Sequence, residues 1–459
     1  MTKNRESFSS VFVVFLATLS SAIGLGNIWR FPYLVGENGG GAFVLIYLVC
    51  VILVGIPIMV GEFYIGRRSR SNPVGAFEKL KSHKAWSLVG FIGMIGSFFI
   101  LFFYSSVAGY VYKYLFKTLK GDFSQLRAYS SYQALEVAKR SYETSILGTS
   151  PMLWQGIVIF VVAAVLIMGV KNGIERIAKT LMPLLFILII ICDISALALP
   201  TAGAGLKFML VPEFSKINQG VVLSALGLAF FKLALGVGTM MIYGSYFTDE
   251  TNLVANGYKV ALTDVLVSLL AGVAIFPVVF FYGLEPAAGP GLLFEIIPLA
   301  FITLPLGNIL LAMFFALSAI AATTAMISMC EVPVAIFKEQ FNISRTKAVL
   351  IASLITLVIG VLSVHPSSLF GSDEIMGKSF YEWFDFLSSN LLLPFNGLLI
   401  SIFIGYKTKK EELFAELSNY GKLNNRPILL IYYYFIRYVT PLLTFIILLS
   451  CLGIIKIGK

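Results

Sequence analysis

GVVLSALGLAFFKLALGVGTMMIYGSYF, residues 220–247, is long and apolar enough to cross a bilayer, and Lys232 is its only charge. The lysine stands near the middle of the run, too deep for its amine to reach either headgroup layer comfortably. A cation at that depth costs roughly 2.5–3.5 kcal/mol on insertion scales. Four residues later, Gly236-Val237-Gly238 is a place where a helix can break and leave polar backbone groups free. A buried ammonium beside a broken helix points to a binding site inside a membrane protein. The plainer alternative is a core lysine paired with a carboxylate such as Glu62 or Asp264.

Composition supports the membrane assignment. Hydrophobic residues make up 58% of the 459 and charged ones 13%, far from the pattern of soluble domains. The formal charge of +10 is then a matter of topology rather than a nucleic-acid footprint. The four cysteines (Cys50, Cys192, Cys330, Cys451) lie in apolar runs without metal-like spacing or a disulfide framework. The polar start MTKNRESFSS leads into an apolar run too long for a signal peptide, so that run is expected to be kept as the first span.

Eleven apolar runs follow one another, at about 10–35, 41–66, 87–118, 153–170, 177–199, 220–248, 257–283, 305–337, 346–364, 382–406 and 428–455. Each is long enough to span as a helix, and barrel-like alternation is absent, so an all-α integral membrane protein is expected. Lys and Arg gather in alternate loops, after the second and tenth runs above all, while Leu284–Leu304 has none. Positive-inside logic places the N-terminus in the cytoplasm and, with an odd helix count, the C-terminus outside. Residues 121–150 read as an external loop, and no linker divides the single domain, 1–459. The first and sixth runs are interrupted by glycine at comparable places, Gly24-Leu25-Gly26 and Gly236-Val237-Gly238. Broken helices five apart suggest an inverted-repeat transporter with its site at the midplane, although glycine is common in membrane helices anyway.

Three further stretches carry a family resemblance. SSAIGLGNIWRFPYLVGENGGGAFVLIY (20–47), GIPIMVGEFYIGR (55–67) and DFLSSNLLLPFNGLLISIFIGY (385–406), with FFKLALGVGTMMIYGSY (230–246), closely resemble the neurotransmitter:sodium symporter family over essentially the whole chain. The resemblance implies a LeuT-type 5+5 inverted repeat with broken first and sixth helices and eleven transmembrane helices. The repeats would cover about 10–199 and 220–406, with the eleventh helix at about 428–455. It further implies a secondary transporter of amino acids in a bacterial inner membrane, with the substrate and the lipid bilayer as its partners.

Carried over position by position, the resemblance assigns the substrate carboxylate to Ala22, Gly24, Leu25 and Gly26, with the Tyr104 hydroxyl. Half-helix amides and the positive end of a helix dipole suit an anion there, whereas an isolated tyrosine is more often a packing residue. The side-chain half of the pocket falls on Ile100, Phe231, Ala234, Val237, Ala325, Met326 and Met329. None of these can satisfy a polar side chain, so leucine, isoleucine, valine and methionine are the expected cargo, with phenylalanine and tryptophan if the methionines yield. The first sodium site of the family matches at Ala22 and Asn27, but its threonine is Lys232 and its helix-seven asparagine aligns with Thr263. Lys232 is therefore expected to replace that ion, touch the substrate carboxylate, and bond to Asn27, Thr263 or the Ala22 carbonyl. Protons, one remaining sodium, or both would then drive transport. A second sodium site aligns with Ser20, Ile23, Ala321 and Thr324, with Ala325 in place of a second hydroxyl; a shift of one residue would supply Thr323 and Thr324 instead. At the chloride positions Tyr47 matches, but Leu228 and Val267 cannot hold an anion, so no chloride is expected. Arg30 and Asp385 align with the external gate over Phe231. Arg5 and Glu339, helped by Ser245 and Tyr246, align with the internal gate, although Arg5 also reads as an ordinary positive-inside residue. Glu62 is expected to accept bonds from the unwound part of the sixth helix.

Other classes fit poorly. The only histidines are His83 and His365, and neither HExxH nor GxSxG occurs, which disfavours an intramembrane enzyme. A channel would require a continuous polar path, whereas Phe231, Met326 and Met329 suggest an occluding pocket.

Overall fold

The structure, a computed structural model, describes residues 6–128, 131–146, 148–284, 292–302, 304–364 and 375–454. Among these residues nine helices are long and apolar enough to cross a membrane, and a tenth span is the bent pair Val11–Ala22 and Gly26–Glu37, which turn through 53° at their break. The sixth run divides into Gln219–Lys232 and Thr239–Ser245, separated by six residues, so neither half meets the length of a span. The count of eleven expected from sequence holds only when this interrupted pair is taken as one crossing.

Each break has a sequence cause and a set of side chains that satisfy it. In the first helix Ile23 turns to ψ 110°, which ends the ladder. The amide of Gly24 then donates to Asn27 Oδ1 at 3.1 Å, and that of Leu25 to the Tyr104 hydroxyl at 2.8 Å. In the sixth, Ala234, Gly236 and Gly238 all take positive φ, at 49°, 76° and 85°. Gly236 has no substitute: a Cβ there would lie 2.5 Å from the Leu393 carbonyl oxygen. Its amide donates to Glu62 Oε1 at 2.7 Å, as expected for Glu62, and its carbonyl accepts from Asn396 Nδ2 at 2.5 Å. Backbone freed within a bilayer is tolerated only where protein satisfies it in this way.

Around the broken pair stand longer, continuous helices. The third (Ser87–Lys120) and eighth (Gly307–Gln340) have 34 residues each and pack side by side, joined where Ser97 Oγ donates to the Met329 carbonyl at 2.7 Å. The second (41–69) and seventh (Leu253–Phe281) close the other side. Outward faces carry exposed Phe12, Phe160, Ile194 and Leu354, as a lipid-facing surface requires.

Candidate functional site

The two breaks meet at the centre of the bundle and enclose a cavity of about 10 Å³, room for roughly one water. Of the residues expected to bind substrate, Ala22, Gly24, Gly26 and Tyr104 line one side of it, and Phe231, Lys232, Ala325 and Met329 the other. Ser21 also lines it and was not anticipated, because a serine within an apolar run gives no signal of direction. Leu25, Ile100, Ala234, Val237 and Met326 are buried nearby but do not reach the cavity surface. The wall is otherwise apolar, and Phe231 covers it, its ring centroid 6.2 Å from those of Phe103 and Tyr104.

Above Phe231 lies the expected outer pair. Arg30 grips Asp385 with both arms, at 2.9 and 3.0 Å, and its guanidinium lies 4.6 Å over the Phe231 ring. Ser389 steadies the pair by donating to Asp385 Oδ1 at 2.7 Å. A bidentate fork of this kind fixes orientation as well as charge, so the site is shut on this side.

Lys232 departs from expectation. Its ammonium bonds to none of Asn27, Thr263 or the Ala22 carbonyl. It pairs with Asp264 Oδ2 at 3.0 Å and donates to the Tyr47 hydroxyl at 2.8 Å and to Ser268 Oγ. Both members of the ion pair are fully buried. The aromatic faces of Tyr47 and Phe31 stand 4.7 and 5.1 Å from the nitrogen. Asn27 is drawn into the same cluster, its amide donating to Asp264 Oδ1 at 2.6 Å and to Ser268 Oγ at 3.1 Å. A full negative charge with two hydroxyls outcompetes a carbonyl or an amide oxygen for an ammonium. The lysine stem still borders the cavity, passing so close to Gly26 that a methyl there would meet its Cγ at 2.9 Å.

The correction has a simple geometry. Thr263 is only partly buried, and Val267 is buried without any polar group to offer. Their immediate successors, Asp264 and Ser268, lie one helical turn apart and both face the cluster. The seventh-helix residues that meet Lys232 therefore each lie one position after those the resemblance named. A carboxylate in the middle of an apolar run was the available signal, and it had been recognised only as a partner for a core lysine.

Thr323 turns toward the third helix, sharing a hydrogen bond of 2.6 Å with Tyr112 and donating to the Ala319 carbonyl at 2.7 Å. Thr324 donates to the carbonyls of Ile320 and Ala321, and Ser20 to that of Ala17. Ala325 lies against the first break, where a methyl on Gly24 would meet its Cβ at 3.0 Å. Ser20, Ile23, Ala321 and Thr324 are all buried.

On the opposite side, Arg5 lies outside the described residues. Glu339 accepts from the Asn72 amide and side chain at 3.0 and 2.9 Å. Tyr246 donates to Glu331 Oε1 at 2.7 Å. Glu331 is in turn held by Arg345 at 3.0 and 2.7 Å, and Arg345 also donates to the Leu166 carbonyl at 2.7 Å. This carboxylate and arginine were missed because they belong to different helices and neither motif names them. Phe8 completes the closure, its amide donating to the Tyr246 carbonyl at 2.9 Å.

Two broken helices around a central apolar cavity, with closures on either side, define a membrane transporter of the LeuT-type fold. The crystal structure of MhsT in complex with L-phenylalanine matches with a TM-score of 0.90 and 38% identity, covering 98% of this chain and 100% of that one. The sodium:neurotransmitter symporter family matches residues 5–135 and 122–457. Among relatives, the sodium-dependent transporter YhdH of Bacillus subtilis (strain 168) is 38% identical over 441 residues, 96% of each chain. A sodium-dependent transporter of Haemophilus influenzae is 35% identical over 458 residues, 98% of each chain. The chain belongs to the sodium:neurotransmitter symporter family.

Proposed function

We propose that the chain carries neutral, apolar L-amino acids by alternating access in a bacterial cytoplasmic membrane, N-terminus inside, with one sodium ion at the second site. The Lys232–Asp264 pair then takes the place of both the first sodium and chloride. The observation that carries the reading is the cavity itself: the broken first helix, whose Leu25 amide donates to the Tyr104 hydroxyl, on one side, and Phe231, Ala325 and Met329 on the other. A half-helix N-terminus and a phenol suit a carboxylate. The remaining wall offers nothing to a charged side chain, since the one ammonium bordering it is already held by three partners. The relative solved with L-phenylalanine supports a pocket that widens for larger apolar side chains.

A competition panel tests this. Leucine, isoleucine, valine, methionine and phenylalanine should displace one another, while lysine, glutamate and dopamine should bind roughly a hundredfold more weakly or worse, because each would bury an unsatisfied charge. Best displacement by any of these last three would overturn the pocket assignment.

Sodium is preferred over the proton as the coupling ion because the lysine ammonium already has its counter-charge in Asp264. Ser20, Ile23 and Ala321 would offer carbonyls and Thr324 a hydroxyl, while Ala325 offers none. Ala325→Ser should therefore tighten sodium roughly tenfold, the worth of one added oxygen. Sodium-dependent leucine uptake in proteoliposomes measures it, and an unchanged half-maximal sodium concentration would refute the site. Replacing chloride by gluconate should leave uptake unaltered.

A further inference from the structure

A second concavity, unrelated to the transport path, opens between the segment that follows the second span and the segment that follows the tenth. It measures about 1190 Å³ and is lined by eight lysine and arginine side chains against three carboxylates. The arginines and carboxylates are spoken for: Arg67 pairs with Glu416, Arg68 with Glu412, and Arg70 with Asp249. Arg67 and Arg70 also donate to the carbonyls of Thr251 and Phe247, which anchors this floor to the chain leaving the sixth helix. Tyr420 donates to Glu416 Oε2 at 2.8 Å and so occupies that carboxylate further. Lys81, Lys407, Lys409 and Lys422 are exposed, line the same basin, and form no ion pair among the described residues. The positive-inside rule accounts for lysines on this face, but it asks only that they be near the membrane. It does not ask that four of them from two distant segments surround one cavity whose acids are already neutralised. Tyr64, Trp86 and Phe403 also line it, aromatic residues of the kind enriched at the headgroup level of a bilayer.

We propose that this basin binds anionic phosphate groups on the cytoplasmic face, carried by an anionic phospholipid headgroup or by a soluble polyphosphate. Clustered lysines attract phosphate as point charges and need no fixed fork, which suits both sources. Because the floor is tied to the end of the sixth helix, occupancy favours the folded, packed arrangement and raises thermal stability by simple linkage.

The test uses the full chain purified in an uncharged detergent. One arm titrates sodium tripolyphosphate and follows the melting temperature. The other adds cardiolipin or phosphatidylglycerol, with phosphatidylcholine as reference, and counts retained lipid by native mass spectrometry. The variant K81Q/K407Q/K409Q/K422Q should lose binding by about tenfold or more in whichever arm is positive, since each lysine near an anionic surface contributes substantially. Replacing the same four by arginine should preserve it. A control, K171Q/K259Q/K338Q/K347Q, removes equal charge from the same face outside the basin and should leave binding within about twofold. A positive lipid arm alone identifies a headgroup site, a positive tripolyphosphate arm alone a soluble ligand, and both together a shared phosphate site. No binding in either arm, or equal losses in the basin and control variants, overturns the proposal. The four basin lysines are exposed, and unchanged leucine binding in all variants verifies that the fold is intact.

Discussion

Lys232→Thr combined with Asp264→Asn should yield a transporter that consumes a second sodium ion. The family's first sodium site draws on an alanine carbonyl, an asparagine, a threonine and a further asparagine. Ala22 and Asn27 are already present, and the double variant supplies the other two where the structure places Lys232 and Asp264. Removing a buried cation and its buried partner together leaves no net charge behind. The single variants are different. In Lys232→Ala the Asp264 carboxylate remains fully buried without its ammonium, which costs roughly 3–5 kcal/mol when one partner of such a pair is lost. Asp264→Asn alone strands the ammonium in the same way. Thermal unfolding should therefore show two damaged single variants and a double variant close to the native chain. In proteoliposomes, the steepness of leucine uptake against sodium should rise from about one to about two in the double variant. A double variant as unstable as either single, or one whose sodium dependence stays at first order, would show that the pair does not stand in for the ion.

The same cluster shows where sequence was sufficient and where it stopped. Hydropathy and the two glycine interruptions located the spans to within a few residues, because a bilayer requires long apolar runs and tolerates broken backbone only at a protein-lined site. The pairing of Arg30 with Asp385 over Phe231 followed directly from the sequence, each residue sitting within a long and specific motif. The seventh helix had no such motif, and a helix read one residue out of register is rotated by about 100°. That rotation put Thr263 and Val267 toward the site on paper and Asp264 and Ser268 there in the structure. The ammonium then followed the strongest acceptor rather than the family's ion. Long-range pairs such as Glu331 with Arg345, 14 residues apart but on separate helices, were invisible for another reason: nothing in their local sequence says that they meet.

That pair leads to the other large effect, expected in Arg345→Ala. Glu331 is fully buried and depends on Arg345 for both of its oxygens, with Tyr246 adding one bond. Without the arginine, a carboxylate is left in the protein interior with only a phenol, and the loss should again be roughly 3–5 kcal/mol. Adding Glu331→Gln should recover most of it, which separates the stranded charge from any loss of packing. Tyr246→Phe asks a narrower question. It leaves the ion pair and the ring packing against Phe8 in place, and removes the bond that ties the chain end of the sixth helix to the eighth. One hydrogen bond to a charged group is worth roughly 1.5–3 kcal/mol, enough to shift a two-state equilibrium roughly tenfold to a hundredfold. If this bond holds the cytoplasmic side shut, Tyr246→Phe should open it. A cysteine placed at Ser21, which lines the central cavity, should then be alkylated from the cytoplasmic side faster by a similar factor, in a background lacking the native cysteines. Transport driven from outside should fall at low leucine, because fewer molecules wait in the outward-facing state. Unchanged alkylation in Tyr246→Phe, with Arg345→Ala still destabilised, would assign Glu331 and Arg345 to the framework and leave the inner closure to other contacts.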